Sequence, residues 1–158
     1  MSARDLERWL VANGFSPRDL MATVANSTTP LMKASHAGDA AMVRALLRAG
    51  VPLNTRNADG NNALWLACVS RNLEVIGVLI EAGIDLDNRN DNGATCLMFA
   101  ASTGSPEVLS RLLAAGADTR HETLDGFSAL DMASTLDCLQ LLRRATPRVA
   151  AAVEQPSC

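Results

Sequence analysis

One spacing runs through the chain. Gly50, Gly83 and Gly116 lie 33 residues apart, and so do Gly60, Gly93 and Gly126. Two further columns, Leu31, Leu64, Leu97, Leu130 and Ala34, Ala67, Ala100, Ala133, keep the same interval. Independent columns that share a period of this length are the mark of a stacked solenoid. In such a stack each unit packs only on its neighbours and the whole presents one long face, so the architecture is first of all a binding surface.

Within a unit the local signals agree. Asp59-Gly60 is a turn dipeptide, because glycine accepts the positive φ that tight turns require. The run from Asn62 to Cys68 then places Leu64, Ala67 and Cys68 at helical spacing. Asn72 stands where it can cap a second helix carrying Leu73, Ile76, Leu79 and Ile80, and Gly83 closes that helix. Equivalent caps are read at Asp39, at Ser105 with Pro106 behind it, and at Asp137. Gly77 falls inside a second helix, where close helix packing is the expected reason for it. Upstream, Ser2 and Asp5 form a capping-box pattern opening a helix with Leu6, Trp9 and Leu10, which Asn13-Gly14 stops. Ser16-Pro17 is expected to start a second short helix with Leu20, Met21 and Val24.

Composition narrows the function. With 158 residues, 48% apolar and 20% charged, the chain can bury a sizeable core, and wholesale disorder is excluded. The net charge of −3, with arginines scattered among the acids, provides no basic field for nucleic acid or an anionic membrane. No apolar run approaches the ~20 residues that span a bilayer. The N-terminus lacks the layout of a secretory signal or a presequence, so a cytoplasmic location is expected. Cys68, Cys96, Cys138 and Cys158 show no metal-ligand spacing; no metal is expected, and Cys68 and Cys96 read as buried free thiols. Nothing brings His36 and His121 together, and the glycines follow the repeat rather than any phosphate-binding pattern. Neither a cofactor nor catalysis has positive support.

The segments TTPLMKA (28–34), NNALWLA (61–67), ATCLMFA (94–100) and FSALDMA (127–133) resemble the T-P-L-H-x-A signature of ankyrin repeats. RALLRAGVPLN (44–54), GVLIEAGIDLD (77–87) and SRLLAAGADTR (110–120) resemble the family's L-L-x-x-G-A-D-V-N ending. The resemblance implies an all-α solenoid in which each unit is a turn and two antiparallel helices, with finger-like β-turns projecting between units. Its expected organisation is a helical N-terminal cap over 1–23, repeats over 24–56, 57–89, 90–122 and 123–144, and a frayed tail over 145–158. There are departures. Met32, Trp65, Met98 and Asp131 stand where the family has His, proline survives only at Pro30, and no D-x-x-G turn precedes the first unit. Counted from Asp137 to Leu141-Leu142, the fourth unit is three residues shorter than the first, about one helical turn.

The resemblance also implies a protein partner, held on a concave face built from finger tips and first helices. By position the fingers bring Arg56, Asp59 and Asn61, then Arg89, Asp91 and Asn92, then Leu124, Asp125 and Phe127. The first helices bring His36, Val69 and Ser102. Met32, Trp65 and Met98 share one column and would form an apolar ladder at the foot of the fingers, either for a partner or as filling between repeats. Arg56, Asp59, Arg89 and Asp91 read as a solvated rim. The expected function is a non-enzymatic protein-interaction module, monomeric when alone, serving as a small adaptor, regulator or inhibitor. A self-associating structural protein and an enzyme with an unrecognised site are the alternatives.

Overall fold

Short apolar runs punctuated by polar caps and glycines give short helices, and these can bury their apolar stripes only by pairing. The computed structural model describes residues 1–146. Among them the helices are α1 (Ala3–Ala12), α2 (Pro30–Ala37), α3 (Ala40–Arg48), α4 (Ala63–Ser70), α5 (Leu73–Glu81), α6 (Cys96–Ser102), α7 (Pro106–Ala114), α8 (Ala129–Met132) and α9 (Leu136–Ala145). They stack in two rows. The inner row is α2, α4, α6, α8 and the outer row α1, α3, α5, α7, α9; α2 to α9 pack in pairs, and each helix packs on the next in its row. One core runs between the rows, with Leu31, Leu64 and Leu97 buried from the inner side and Leu46, Leu79 and Leu112 from the outer.

The inner helices share a cap column. Thr29, Asn62, Thr95 and Ser128 each accept a hydrogen bond from the N–H three residues on, at 3.2, 3.2, 3.3 and 3.2 Å. In the outer row, Asp39 and Asn72 cap α3 and α5 as expected, while Ser105 occupies the cap position of α7 without a side-chain bond. Asp137 is not the cap of α9. That place belongs to Thr135, and Asp137 sits in the first turn. The three-residue deletion therefore falls before the cap, in the inner helix. α8 has 4 residues where α6 has 7, and α9 is full length at 10. Ser134 closes the gap, its N–H and hydroxyl both donating to the Ala101 carbonyl at 3.1 and 3.3 Å.

The N-terminal segment differs from expectation. Ser2 and Asp5 do form the capping box of α1, but Ser16-Pro17 opens no helix. Asp19 takes the Met21 N–H on its own carboxylate at 3.0 Å, and this local bond holds a turn in place of a helical one. The segment is the outer half of a further unit. Phe15 N–H donates to the Leu10 carbonyl at 2.8 Å, matching Val51 to Leu46, Ile84 to Leu79 and Ala117 to Leu112. Gly14, at φ 83°, corresponds to Gly50, Gly83 and Gly116 at 86°, 86° and 96°. Gly14 lies 36 residues before Gly50, so an insertion of three hides the relation from a search at 33. Of the expected tail over 145–158, Ala145 ends α9, and residues from 147 on lie outside the described residues.

Two positions carry local flaws. A Cβ on Gly77 would approach only the Arg111 guanidinium of α7, at 3.1 Å, so a flexible side chain and not a close helix backbone overlies it. The Ser35 hydroxyl is fully buried and has no hydrogen-bond partner among the described residues, where the third unit has Ala101. Gly77→Ala is expected to raise stability by about 0.5–1 kcal/mol through helix propensity, read as a higher urea midpoint at unchanged slope. Ser35→Ala should also stabilise, by about 1 kcal/mol, because it removes an unpaired buried hydroxyl. A lower midpoint for Ser35→Ala would mean that the hydroxyl has found a partner.

Candidate protein-binding face

Each finger is built by one side chain that captures the turn. Asn57 Oδ1 accepts from the N–H groups of Asp59 and Asn61, both at 3.0 Å, and Asn90 Oδ1 does the same for Asn92 and Ala94. In the last finger the Thr123 hydroxyl takes the Phe127 N–H at 3.1 Å. The first unit has a finger too, despite lacking D-x-x-G. Val24 N–H meets the Thr28 carbonyl at 3.0 Å, and Asn26 and Ser27 adopt φ of 63° and 56° without glycine. Asn tolerates this region better than most residues, and Ser27 stands where the later fingers place glycine.

The fingers are joined by a backbone ladder. Ala58 N–H donates to Asn26 C=O, Asp91 to Asp59, and Leu124 to Asn92, each at 3.0 Å. Two arginines fasten the joints. Arg56 donates through Nε to the Gly60 carbonyl (3.0 Å) and through Nη2 to the Arg89 carbonyl (2.9 Å). Arg89 repeats this on Gly93 (3.4 Å) and Glu122 (2.7 Å). Asn61 is committed as well, its Oδ1 accepting from Asn90 Nδ2 at 3.0 Å. Arg56, Arg89 and Asn61 thus hold the fingers together, and Arg56 and Arg89 remain exposed.

The apolar column resolves unevenly. Met32 and Met98 are each 1% exposed and belong to the core between units, so they cannot reach a partner. Trp65 is too large for the slot that a methionine fills. It is half-buried, and its ring lies against Phe99 with centroids 4.8 Å apart. Phe99 was missed by sequence reading because its column runs Lys33, Leu66, Phe99, Met132, with a cation at its head. Three apolar members in four were the available signal. His36, Asp59, Asp91, Asn92, Ser102 and Asp125 are exposed, and Val69 is 40% exposed.

Exposed apolar surface on this face concentrates at the last finger. Leu124 is 74% exposed and Phe127 54%. With Met132 of α8, Asn92 and Asp125 they line an open cleft of about 460 Å³. Asp131, at the start of α8, accepts from the Ser128 N–H and hydroxyl at 2.9 Å each, and these bonds hold its carboxyl below the usual carboxylate range.

A family model for ankyrin repeats in three copies matches residues 3–90, and a second ankyrin-repeat model matches 79–133. The chain belongs to the ankyrin-repeat family. The first match begins inside α1, in keeping with a partial unit at the N-terminus. No curated protein matches the chain at a level that establishes kinship. Ankyrin repeats are in general protein-interaction modules and are typically non-enzymatic.

Among the described residues no cluster of three His, Cys, Asp or Glu side chains could hold a metal, and no helix is long and apolar enough to cross a membrane. Two surface clefts gather titratable groups, Glu107, Asp137 and Arg144 in one and Asp87, Asp118 and Arg120 in the other, and none of these side chains is buried. Arg120, bonded through two nitrogens, holds the Asp118 carboxyl at about 2, too weakly basic for proton transfer near neutrality. The Cys68 thiol beside it, together with burial, pushes the Cys96 thiol up, away from thiolate reactivity.

The stapling role of Arg89 is open to measurement. Arg89→Ala should lower stability by about 1 kcal/mol and speed hydrogen exchange at the Leu124 amide. The Ala58 amide, two joints away, should be unaffected, because units couple to neighbours only. Unchanged exchange at Leu124 would reduce Arg89 to an ordinary surface charge.

Proposed function

We propose that this ankyrin-repeat protein is a non-enzymatic interaction module that holds a partner protein on its concave face, chiefly around the third and fourth fingers. The repeats over 24–56, 57–89, 90–122 and 123–144 carry that face. The observation behind this reading is the cleft in which exposed Leu124 and Phe127 meet half-buried Met132. A large exposed aromatic beside a concavity, rimmed by polar groups, is the composition of an interaction hot spot. The fingers are fastened to one another by backbone and arginine bonds, so docking orders little new chain and loses little entropy.

In this reading the protein is a cytoplasmic monomer that acts by holding, masking or inhibiting its partner, as an adaptor or regulator. Asp59, Asp91 and Asn92 form the polar edge of the contact, and Trp65 and Phe99 extend its apolar floor.

The test is a pull-down from soluble extract, quantified by mass spectrometry, that compares wild type with Leu124→Ala, Phe127→Ala. A protein retained by wild type should fall at least tenfold with the double variant. Thermal unfolding should shift by no more than about 0.5 kcal/mol, since both side chains are at the surface. Equal retention by both proteins would move the interaction off the last finger.

A further inference from the structure

The finger ladder has a direction and an open end. Each finger gives an N–H to the carbonyl of the finger before it, onto Asn26, Asp59 and Asn92 in turn. The next acceptor in that column is the Asp125 carbonyl, which takes no hydrogen bond among the described residues. The crowding of the glycines marks the same end. A Cβ on Gly60 would strike the Asp91 N–H at 2.9 Å, and one on Gly93 the Leu124 N–H at 3.0 Å, but around Gly126 nothing lies within 4 Å. Among the described residues nothing covers the surface that a following finger would cover, and exposed Leu124 and Phe127 make it apolar.

Its charge has also changed sign. The column that reads Arg56, Arg89 ends in Glu122, so the position that twice supplies a guanidinium to the next finger carries an exposed carboxylate at the last. Asp125 and Asp131 stand beside it, both exposed. Among the described residues none of Glu122, Asp125 and Asp131 forms an ion pair; Arg89 bonds the neutral Glu122 carbonyl at 2.7 Å and Arg120 the Asp118 carboxylate at 3.0 Å. His121 is half-buried, 3.8 Å from the Asp118 carboxylate.

Building on the docking face proposed above, we infer that the open end of the finger ladder receives a basic, apolar segment of a partner protein as a surrogate fifth finger. One backbone N–H of the segment bonds to the Asp125 carbonyl, an apolar anchor covers Leu124 and Phe127, and Lys or Arg side chains answer Glu122, Asp125 and Asp131. Pairing of backbone with an open edge supplies affinity, and the side-chain complement supplies selectivity. A second copy of this chain fits less well. Its first finger offers Ala25, Asn26, Ser27 and Thr28, which bring neither a cation nor a large apolar group.

A library of displayed twelve-residue peptides, selected on the full chain, tests this. The recovered pool should be enriched in Lys and Arg around one large apolar residue. A representative peptide should bind about tenfold more weakly to Glu122→Arg, where a lost attraction and a new repulsion add. That difference should shrink as salt rises from about 50 to about 500 mM. Phe127→Ala should weaken the same peptide at least tenfold at either salt. All variants are first checked for unchanged thermal midpoints.

A neutral or acidic pool that still depends on Phe127 would overturn the charge assignment and leave the docking face standing. A pool indifferent to both variants binds elsewhere, and both readings fall. No enrichment, with or without growth in sedimentation coefficient as concentration rises, overturns the segment; such growth would show that a second copy covers the end.

Discussion

The hydrogen bond that passes from each finger to the one before it sets the geometry of the whole concave face. Alone, one such bond contributes about 1 kcal/mol net. Its consequence is positional. With Asp91 N–H on Asp59 C=O and Leu124 N–H on Asn92 C=O, the finger tips stand at fixed spacing and their side chains fall into columns. The turn captured by Asn57 or Asn90 makes each tip rigid, and Arg56 and Arg89 tie a tip to its successor. Gly60 and Gly93 are required twice over, by a positive φ and by the approach of the next finger, whereas Gly126 is required only by its φ of 84°.

Much of this was legible in the sequence. The period located the paired helices, and the Asp39, Asn72, Ser2 and Asp5 caps form as expected. What escaped did so for identifiable reasons. The half-unit at the N-terminus keeps the glycine, the buried apolar residue after it and their hydrogen bond, but its 36-residue offset breaks the period. The first finger was invisible because Asn26 and Ser27 reach left-handed backbone without glycine. In the site, residue type revealed only part of what two sets of residues do. Arg56 and Arg89 look like solvated charges, yet they bond carbonyls 33 residues on, which no single-unit reading reveals. Met32 and Met98 share a column with Trp65, but only the tryptophan is too bulky to be swallowed whole. The cleft at the last finger was half legible. Leu124, Asp125 and Phe127 were read from position, whereas Met132 and Phe99 depend on which side of a short helix faces the groove.

The two ends of the stack solve the problem of exposed core differently. At the first, Leu10 of α1 and Phe15 just after the helix enter the core, Trp9 stacks on Phe15 at 6.2 Å, and Arg4, Glu7 and Arg8 face solvent together with one apolar side chain, Val11. That lid is mostly polar, as a solenoid needs for solubility. At the other, the inner helix is cut to one turn and Leu130 is left half-buried. Leu136, Leu124 and Phe127 are exposed there, with carboxylates at the edge. Both ends expose apolar side chains, Val11 and Met21 at the first and Leu124, Phe127 and Leu136 at the other; what sets the second apart is that Leu124 and Phe127 stand on a finger fixed by the ladder, which suits them to a partner that covers them. The sign change from Arg89 to Glu122 fits that account, since a finger that keeps the repeat's backbone but drops its staple is complementary to a different neighbour.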